Sequence, residues 1–191
     1  GVEVPLECVK DAKSAIRYLR QNAGELKVDP NKVVAAGGSA GGQLAAALAT
    51  ITGEEPNDDC YPLAISCRPE AVILWNPYYK CKAELSPPEH VTRGLPPMIA
   101  FLGDEDPAIT VESLVLFHEN LKAAGNVSEL YIGKGGKHGF CNGRDRSNPF
   151  FYWSVALEDE FLVKLGILSG PAILEVPEGV AVDAVKFQSY D

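Results

Sequence analysis

Apolar residues along the chain follow two alternating patterns. Short runs of apolar residues are typical of strands buried on both faces of a parallel sheet, and stripes at helical spacing are typical of amphipathic helices. The runs predict strands at 33–36, 71–74 and 98–102, with a fourth around Leu130 and Ile132. Apolar stripes and one Ala- and Leu-rich segment predict helices over 11–22, over 44–50, from a cap at Thr110 to Gly125, and from Pro149 to near Gly166. The first helical stripe consists of Ala12, Ala15, Ile16 and Leu19.

This alternation of strands and helices predicts an α/β fold with three layers, α/β/α, around a mostly parallel sheet. A length of 191 residues suits one domain, which we assign to residues 1–170. Residues 76–97 are rich in Pro and form an irregular excursion. Residues 171–191 break the alternation and are treated as an unassigned tail, although 180–182 and 185–187 have a strand-like composition.

Charge narrows the classes of partner. The chain has 17 Lys and Arg against 26 Asp and Glu, a net charge of −9, which disfavours binding to nucleic acid or to an anionic membrane. No apolar run approaches the roughly 18 residues of a membrane span. The first four residues, Gly1 to Val4, have neither a basic region nor an apolar region, so no signal peptide is predicted. The sequence is compatible with a cytoplasmic location and with a secreted or periplasmic one.

Cysteine spacing argues against a structural metal site. The five cysteines contain no Cys-x-x-Cys pair, so neither zinc nor any other cofactor is predicted. One or two disulfides remain open, with Cys60 and Cys67 as a candidate pair, and at least one thiol stays unpaired within the chain.

A candidate nucleophile lies between the first strand and the helix after it. Gly37-Gly38-Ser39-Ala40-Gly41 satisfies G-x-S-x-G, the tight turn that exposes a serine hydroxyl at the carboxyl end of a sheet. Small residues at Gly37, Gly38 and Gly41 permit this turn, and the Ala40 N–H can face a developing oxyanion. An incidental serine on a Gly-rich turn is the alternative. A dinucleotide site is less favoured, because the segment contains no G-x-G-x-x-G.

A serine nucleophile needs a base and an orienting carboxylate. His138 follows the fourth strand on a Gly-rich loop, whereas His90 lies in the Pro-rich excursion and His118 is predicted to be a surface residue of a helix. Among the acids that follow the third strand, Asp106 is preferred to Asp104, because Pro107 holds Asp106 in an extended conformation. The order Ser, Asp, His is that of α/β-hydrolases.

Other interpretations of these residues stay open. The acidic segment can be a solvated turn or a casual cation site, and His138 can be a solvent-facing loop residue. Cys141 can be the nucleophile of a thiol enzyme, although no second His is placed to serve it. The substrate pocket is predicted to contain Trp75, Asn76 and Phe140, and the aromatic residues among these can equally belong to the core.

Together these motifs resemble the α/β-hydrolase esterases and lipases related to hormone-sensitive lipase and to bacterial feruloyl and acetyl esterases (BD-FAE-like). The resemblance spans residues 8 to about 165. It rests on 28–33, 37–42, 102–107 and 137–140, and the Gly-Gly-Ser-Ala-Gly-Gly form is closer to the feruloyl and acetyl branch. It implies Ser39 as nucleophile, Asp106 as acid, His138 as base and the Ala40 N–H as an oxyanion donor. The implied substrates are small esters of acetyl, feruloyl or other short acyl groups.

One departure from the family pattern changes this picture. The sequence contains no His-Gly-Gly-Gly segment, which in the family supplies further oxyanion donors, and the strands that precede the first helix are missing. We therefore expect the carboxyl-terminal portion of the fold, with the apolar strand at Val33–Ala36 on an open edge. Either an oligomer or partner segment covers that edge, or the chain is an incomplete or non-catalytic module. Any activity of the isolated chain is expected to be weak.

Overall fold

The computed structural model describes residues 6–52, 57 and 61–190, and among these residues it contains one five-stranded sheet. The strands are β1 Val34–Gly38, β2 Ala71–Trp75, β3 Met98–Gly103, β4 Ser128–Gly133 and β5 Phe187–Ser189. The helices are α1 Leu6–Gln21, α2 Ala23–Leu26, α3 Ala40–Thr50, α4 Val111–Ala123 and α5 Pro149–Lys164. Short 3₁₀ turns lie at Ala83–Leu85, Pro87–His90 and Val182–Ala184.

The sheet has the spatial order β1-β2-β3-β4-β5, with β1 to β4 parallel and β5 antiparallel to β4. Alternate residues of each parallel strand point to opposite faces, and both faces are covered. On β2, Val72 and Leu74 pack with α3 and α4, whereas Ala71 and Ile73 pack with α5. The predicted three-layer α/β/α fold is therefore confirmed.

Helix ends follow the predicted capping residues. The hydroxyl of Thr110 accepts a hydrogen bond from the Ser113 N–H at 3.3 Å, and Gly125 follows α4 with a φ of 82°. The side chain of Asn148 caps α5, whose first residue is Pro149. Several elements extend beyond their predicted limits: α1 begins at Leu6 instead of residue 11, β1 runs on through Gly38, and α3 begins at Ala40 instead of residue 44.

The buried face of the first helix coincides only in part with its predicted apolar stripe: Ile16 of that stripe is buried in the core, but residues outside the stripe are buried as well. Its buried face includes Val9 together with Lys13 and Arg17, and the Arg17 guanidinium donates to the carbonyl of Ile65 at 3.0 Å. The predicted stripe lies partly exposed along a cavity of about 310 Å³ beside β1. The apolar side of α1 thus faces a surface groove as well as the core.

The segment after α5 returns to the sheet. β5 pairs with β4 in the register Tyr131 to Ser189, and Phe187 contacts the rings of Tyr131 and Trp153. The strand-like expectation for 180–182 was wrong, because Val182–Ala184 forms a 3₁₀ turn against α5. The expectation for 185–187 holds only from Phe187 onward.

Within the described residues, β1 forms one edge of the sheet, as expected for the strand at Val33–Ala36. No helix in this part of the chain is long and apolar enough to cross a bilayer. Cys60 lies outside the described residues, and Cys67 is a free thiol.

Candidate active site

Ser39 occupies a strained turn between β1 and α3. Its φ of 56° and ψ of −119° are a conformation that residues other than Gly rarely adopt. The backbone is held there from both sides: the Ser39 N–H donates to the carbonyl of Trp75 at 3.0 Å, and the Ser39 carbonyl accepts from Tyr78 N–H at 3.0 Å. Such strain is common where a side chain must project from the end of a sheet.

Close backbone approach makes this turn possible at two glycines. A Cβ on Gly37 would lie 2.2 Å from the carbonyl oxygen of Gly41, and one on Gly42 would lie 2.8 Å from Pro77. A Cβ on Gly41 itself would meet nothing within 4 Å, and one on Gly38 would make only ordinary contact. The turn therefore requires a residue without a side chain at Gly37, as predicted. The second position with this requirement is Gly42, and not Gly41 as predicted.

Asp106 is held rigidly on the loop that follows β3. One of its oxygens, Oδ1, accepts from the backbone N–H groups of Ala108 at 2.8 Å and Ile109 at 3.1 Å. The side chain is fully buried. Asp104, the alternative candidate for the orienting carboxylate, accepts a hydrogen bond from the Gly135 N–H at 2.6 Å.

His138 joins the other two side chains. Its Nδ1 lies 2.8 Å from Asp106 Oδ2, and its Nε2 lies 2.9 Å from Ser39 Oγ. The loops that carry the imidazole and the carboxylate touch at Gly103, where a Cβ would lie 2.0 Å from the carbonyl oxygen of Gly136. The structure thus brings Ser39, Asp106 and His138 into one hydrogen-bonded chain.

The other two histidines lie apart from this chain of contacts. His90 hydrogen-bonds the carbonyl of Ala83 at 3.0 Å. His118 is buried, contrary to the expectation of a surface residue, and its Nδ1 lies 2.9 Å from Ser128 Oγ. The apolar stripe of α4 alone did not indicate this burial, because the polar partner comes from β4.

The N–H of Ala40 is available at the start of α3. Because Ala40 is the first residue of that helix, its N–H has no carbonyl partner within the helix. The sequence contains no His-Gly-Gly-Gly segment that would face this donor.

A cavity of about 370 Å³ opens beside Ser39. It is lined by Gly38, Ser39, Trp75, Asn76, His138, Gly139, Cys141, Asn142 and Phe151. Its walls are mainly apolar, and its polar lining residues are Ser39, Asn76, His138 and Asn142. Two of the three predicted pocket residues, Trp75 and Asn76, therefore line this cavity.

Phe140 is the exception. Its ring packs against Phe150 and Trp153 in the core, over Gly133 and Gly136, where a Cβ would approach the ring to 2.7 Å. These two glycines make room for the ring inside the fold. The expected place of Phe140 in the pocket was wrong.

Comparisons with known proteins agree with this architecture. The BD-FAE family model matches residues 3–75. Esterase 2 of Thermogutta terrifontis, phosphorylated by paraoxon, superimposes with a TM-score of 0.82 at 40% identity, over 90% of this chain and 68% of that one. Its propionate-bound form gives a TM-score of 0.83 at 39% identity, over 90% and 69%. This chain belongs to the α/β-hydrolase esterases of the BD-FAE type.

A curated relative of this BD-FAE-type chain is much longer. Endo-1,4-beta-xylanase B of Butyrivibrio fibrisolvens is 26% identical over an alignment of 176 residues that covers 80% of this chain and 27% of that protein. The chain therefore spans about a quarter of the length of this relative.

Two buried titratable groups lie at or beside the BD-FAE-type site: Cys141 lines the cavity, and Glu158, which the sequence did not indicate, contacts Trp75. Burial raises the pKa of Glu158, on α5, to about 7, although it accepts a hydrogen bond from Trp75 Nε1 at 2.7 Å. Burial also raises the pKa of the Cys141 thiol far above its usual range. A thiol held protonated is a poor nucleophile, which weighs against a thiol enzyme.

Only some of the residues at and beside the cavity could have been predicted from the sequence. Cys141 and Asn142 follow His138 closely on its Gly-rich loop, so their proximity to the site was foreseeable. Phe151, which lines the cavity, and Glu158, which contacts Trp75, both lie on α5, and nothing in the helical pattern singles them out. Among the described residues, no group of three His, Cys, Asp or Glu side chains is arranged to hold a metal ion.

Proposed function

We propose that the chain is a serine carboxylesterase in which Ser39, His138 and Asp106 form the catalytic triad. The observation that carries this proposal is the unbroken chain of contacts from Asp106 through His138 to Ser39, at 2.8 and 2.9 Å. A hydroxyl within hydrogen-bond reach of a base that is itself oriented by a carboxylate is the arrangement needed for nucleophilic catalysis.

The reaction proceeds in two halves. Ser39 Oγ attacks the ester carbonyl carbon while His138 Nε2 takes its proton, and the Ala40 N–H donates to the oxygen that becomes negative. The C–O bond to the alcohol then breaks as His138 returns the proton to the leaving oxygen. Water next attacks the acyl-enzyme, His138 takes a proton from it, and the acid and free Ser39 are released.

Short or aromatic acyl groups are the proposed substrates. The cavity beside Ser39 holds about 370 Å³ between Trp75 and Phe151, which suits a small apolar acyl group. The similar esterase of T. terrifontis is described with propionate bound. A series of p-nitrophenyl esters of increasing acyl length, together with a feruloyl ester, tests this choice, and equal rates across the series contradict it.

A fluorophosphonate probe tests the nucleophile directly. The wild-type chain is expected to be labelled on Ser39, and Ser39→Ala is expected to lose the label and the ester hydrolysis. Ser169→Ala is the matched control, because Ser169 is exposed and does not line the cavity. A folded wild-type chain that takes no label at Ser39 overturns the proposal.

We also propose that a second copy or a separate segment covers the β1 edge and completes the oxyanion site. The exposed edge and the groove of about 310 Å³ beside it support this idea. Loss of one oxyanion donor typically lowers the rate by about 10²–10³-fold. Adding the segment that precedes the matched region in a relative is expected to raise ester hydrolysis, and no gain would favour a non-catalytic module.

A further inference from the structure

Asn76 is a buried amide beside the triad that the proposed reaction does not use. It follows β2 directly, is 2% exposed, and has a φ of 39°. Its backbone N–H donates to the carbonyl of Phe101 at 2.7 Å, which anchors the residue to β3. This contact fixes the backbone from which the Asn76 side chain projects.

One contact fixes which way the amide of Asn76 points. The backbone N–H of Gly139 lies 3.1 Å from Asn76 Oδ1, and an N–H group can only donate. The carbonyl end of the amide must therefore face Gly139. The donor end, Nδ2, then faces His138 Nε2 at 3.4 Å.

This orientation constrains the protonation of the imidazole. An amide –NH₂ has no lone pair to accept with, so Nε2 facing it must carry a lone pair and the ring proton must sit on Nδ1. Asp106 Oδ2, 2.8 Å from Nδ1, requires the same arrangement from the other end of the ring. Asn76 and Asp106 thus select one tautomer together.

We propose, on the basis of the proposed function, that Asn76 is a positioning residue that keeps Nε2 of His138 as the proton acceptor through both halves of the ester hydrolysis. Before attack, the Ser39 hydroxyl is the closer donor to Nε2, at 2.9 Å. Once Ser39 is acylated it has no proton to donate, and Asn76 remains to hold the ring for the water that follows.

Asn76 also acts on the charged form of His138. When Nε2 takes a proton, its N–H faces the –NH₂ of Asn76, so two donors oppose each other. This contact disfavours retention of the proton, which passes to the leaving oxygen in the first half and to Ser39 Oγ in the second. Asp106 favours the imidazolium, and Asn76 opposes it.

Within the described part of the chain, two ionisable groups lie at the ring: Asp106 contacts it from the loop after β3, and the buried Cys141 thiol lines the same cavity. Two further acids on that loop hold the His138 loop: Asp104 accepts from the Gly135 N–H, and the Glu105 N–H donates to the Gly136 carbonyl. Lys137 precedes the histidine in the chain.

The test replaces the donor by an acceptor of the same shape. Asn76→Asp keeps an oxygen for the Gly139 N–H, and Asp tolerates a positive φ. It places a carboxylate oxygen against Nε2, so the ring of His138 is expected to titrate about one to three pH units higher than in the wild type. NMR titration of the unliganded chain measures this, with the His138 signal assigned from His138→Gln.

Asn142→Asp is the matched control. It puts the same charge into the wall of the same cavity, but Asn142 contacts the Gly139 carbonyl and not the ring. Its shift is expected to be clearly smaller. If both variants shift the titration equally, or if Asn76→Asp leaves it unchanged, the inference is wrong. Should Asn76→Asp fail to fold, Asn76→Ala removes the donor and is expected to give a smaller upward shift.

Kinetics separates positioning from a structural effect. In Asn76→Asp the acidic limb of kcat/KM against pH is expected to move with the ring titration, with activity recovering at higher pH. An equal loss at every pH would indicate damage to the fold and overturn the inference. Since the titration needs no substrate, an active wild type with an unmoved titration overturns this inference alone, whereas an inactive wild type overturns the proposed function.

Discussion

Two carboxylates separated by one residue make different contacts, and this gives a prediction at the scale of the residue. Asp106 contacts the imidazole of His138, whereas Asp104 contacts a backbone N–H. Asp106→Asn is expected to lower kcat by about 10⁴-fold, because an amide at this position no longer stabilises the correct tautomer or the imidazolium. Asp104→Asn, its matched control, is expected to lose far less. Comparable losses in an esterase assay would contradict the assignment.

Glu158 gives the second prediction at this scale. Burial raises its pKa to about 7, so between pH 4.5 and pH 7 the folded chain keeps a proton that the unfolded chain has released. The free energy of unfolding is therefore expected to fall as pH rises through that window, by at most about 3 kcal/mol, and to level off above it. Denaturant unfolding at pH 5 and at pH 8 measures the difference.

Glu158→Gln separates this effect from other titrations. The amide is neutral at both pH values and keeps an oxygen for the Trp75 indole, so the variant is expected to match the wild type at pH 5 and exceed it at pH 8. Glu160→Gln, an exposed position on the same helix, is the control and is expected to follow the wild type. Parallel pH profiles for Glu158→Gln and the wild type would exclude Glu158 as the source.

At the scale of the element, the carboxyl ends of the strands bring the site together. β1, β3 and β4 are parallel, so Ser39, Asp106 and His138, which follow them, meet above the carboxyl ends of the strands. The order of strands and motifs in the sequence was enough to predict this meeting. What it could not predict is side-chain packing across elements: Phe140 faces the core because Gly133 and Gly136 leave room there.

The outermost strands of the sheet, β1 and β5, were also harder to predict than the central strands. β2 and β3 are continuous apolar runs, whereas β1 continues into two glycines that carry no apolar signal. β5 is exposed along its length, and its place is set by pairing with β4 and by the contacts of the Phe187 ring with Tyr131 and Trp153. The buried Arg17 of α1 donates to the Ile65 carbonyl and to Asn57 Oδ1, and a helical stripe does not reveal such contacts with distant residues.

The contact between two loops gives a prediction at this scale. Gly103→Ala would force a Cβ to within 2.0 Å of the Gly136 carbonyl oxygen, so the loops carrying Asp106 and His138 must separate. We expect a loss of about 1–3 kcal/mol in the free energy of unfolding, together with a loss of kcat. Gly24→Ala, in α2 with nothing within 4 Å, is the control and is expected to be neutral or slightly stabilising. Unfolding curves and ester hydrolysis decide it, and Gly103→Ala behaving like the control would contradict the contact.

For the whole molecule, the uncovered edge and the net charge act in opposite directions. A charge of −9 favours separate molecules in solution, whereas β1, the edge strand among the residues that the structure describes, presents backbone donors and acceptors beside an apolar groove. Both β1 and the apolar stripe of α1 meet in this groove, so one partner would cover both. We therefore expect the isolated chain to associate, and to do so more strongly as salt screens the charge.

Leu19→Lys tests where this association occurs. Leu19 lines the groove and is 36% exposed, so a lysine there adds a charge to the proposed contact without entering the core. We expect light scattering coupled to size exclusion to show less association in this variant. Leu26→Lys is matched in exposure, at 39%, and does not line the groove, so it should associate like the wild type. A wild-type chain that stays monomeric at all concentrations, or equal effects of the two lysines, would show that β1 is not a site of contact between copies. The edge would then be left to a separate segment, and the gain of activity on adding that segment becomes the deciding measurement.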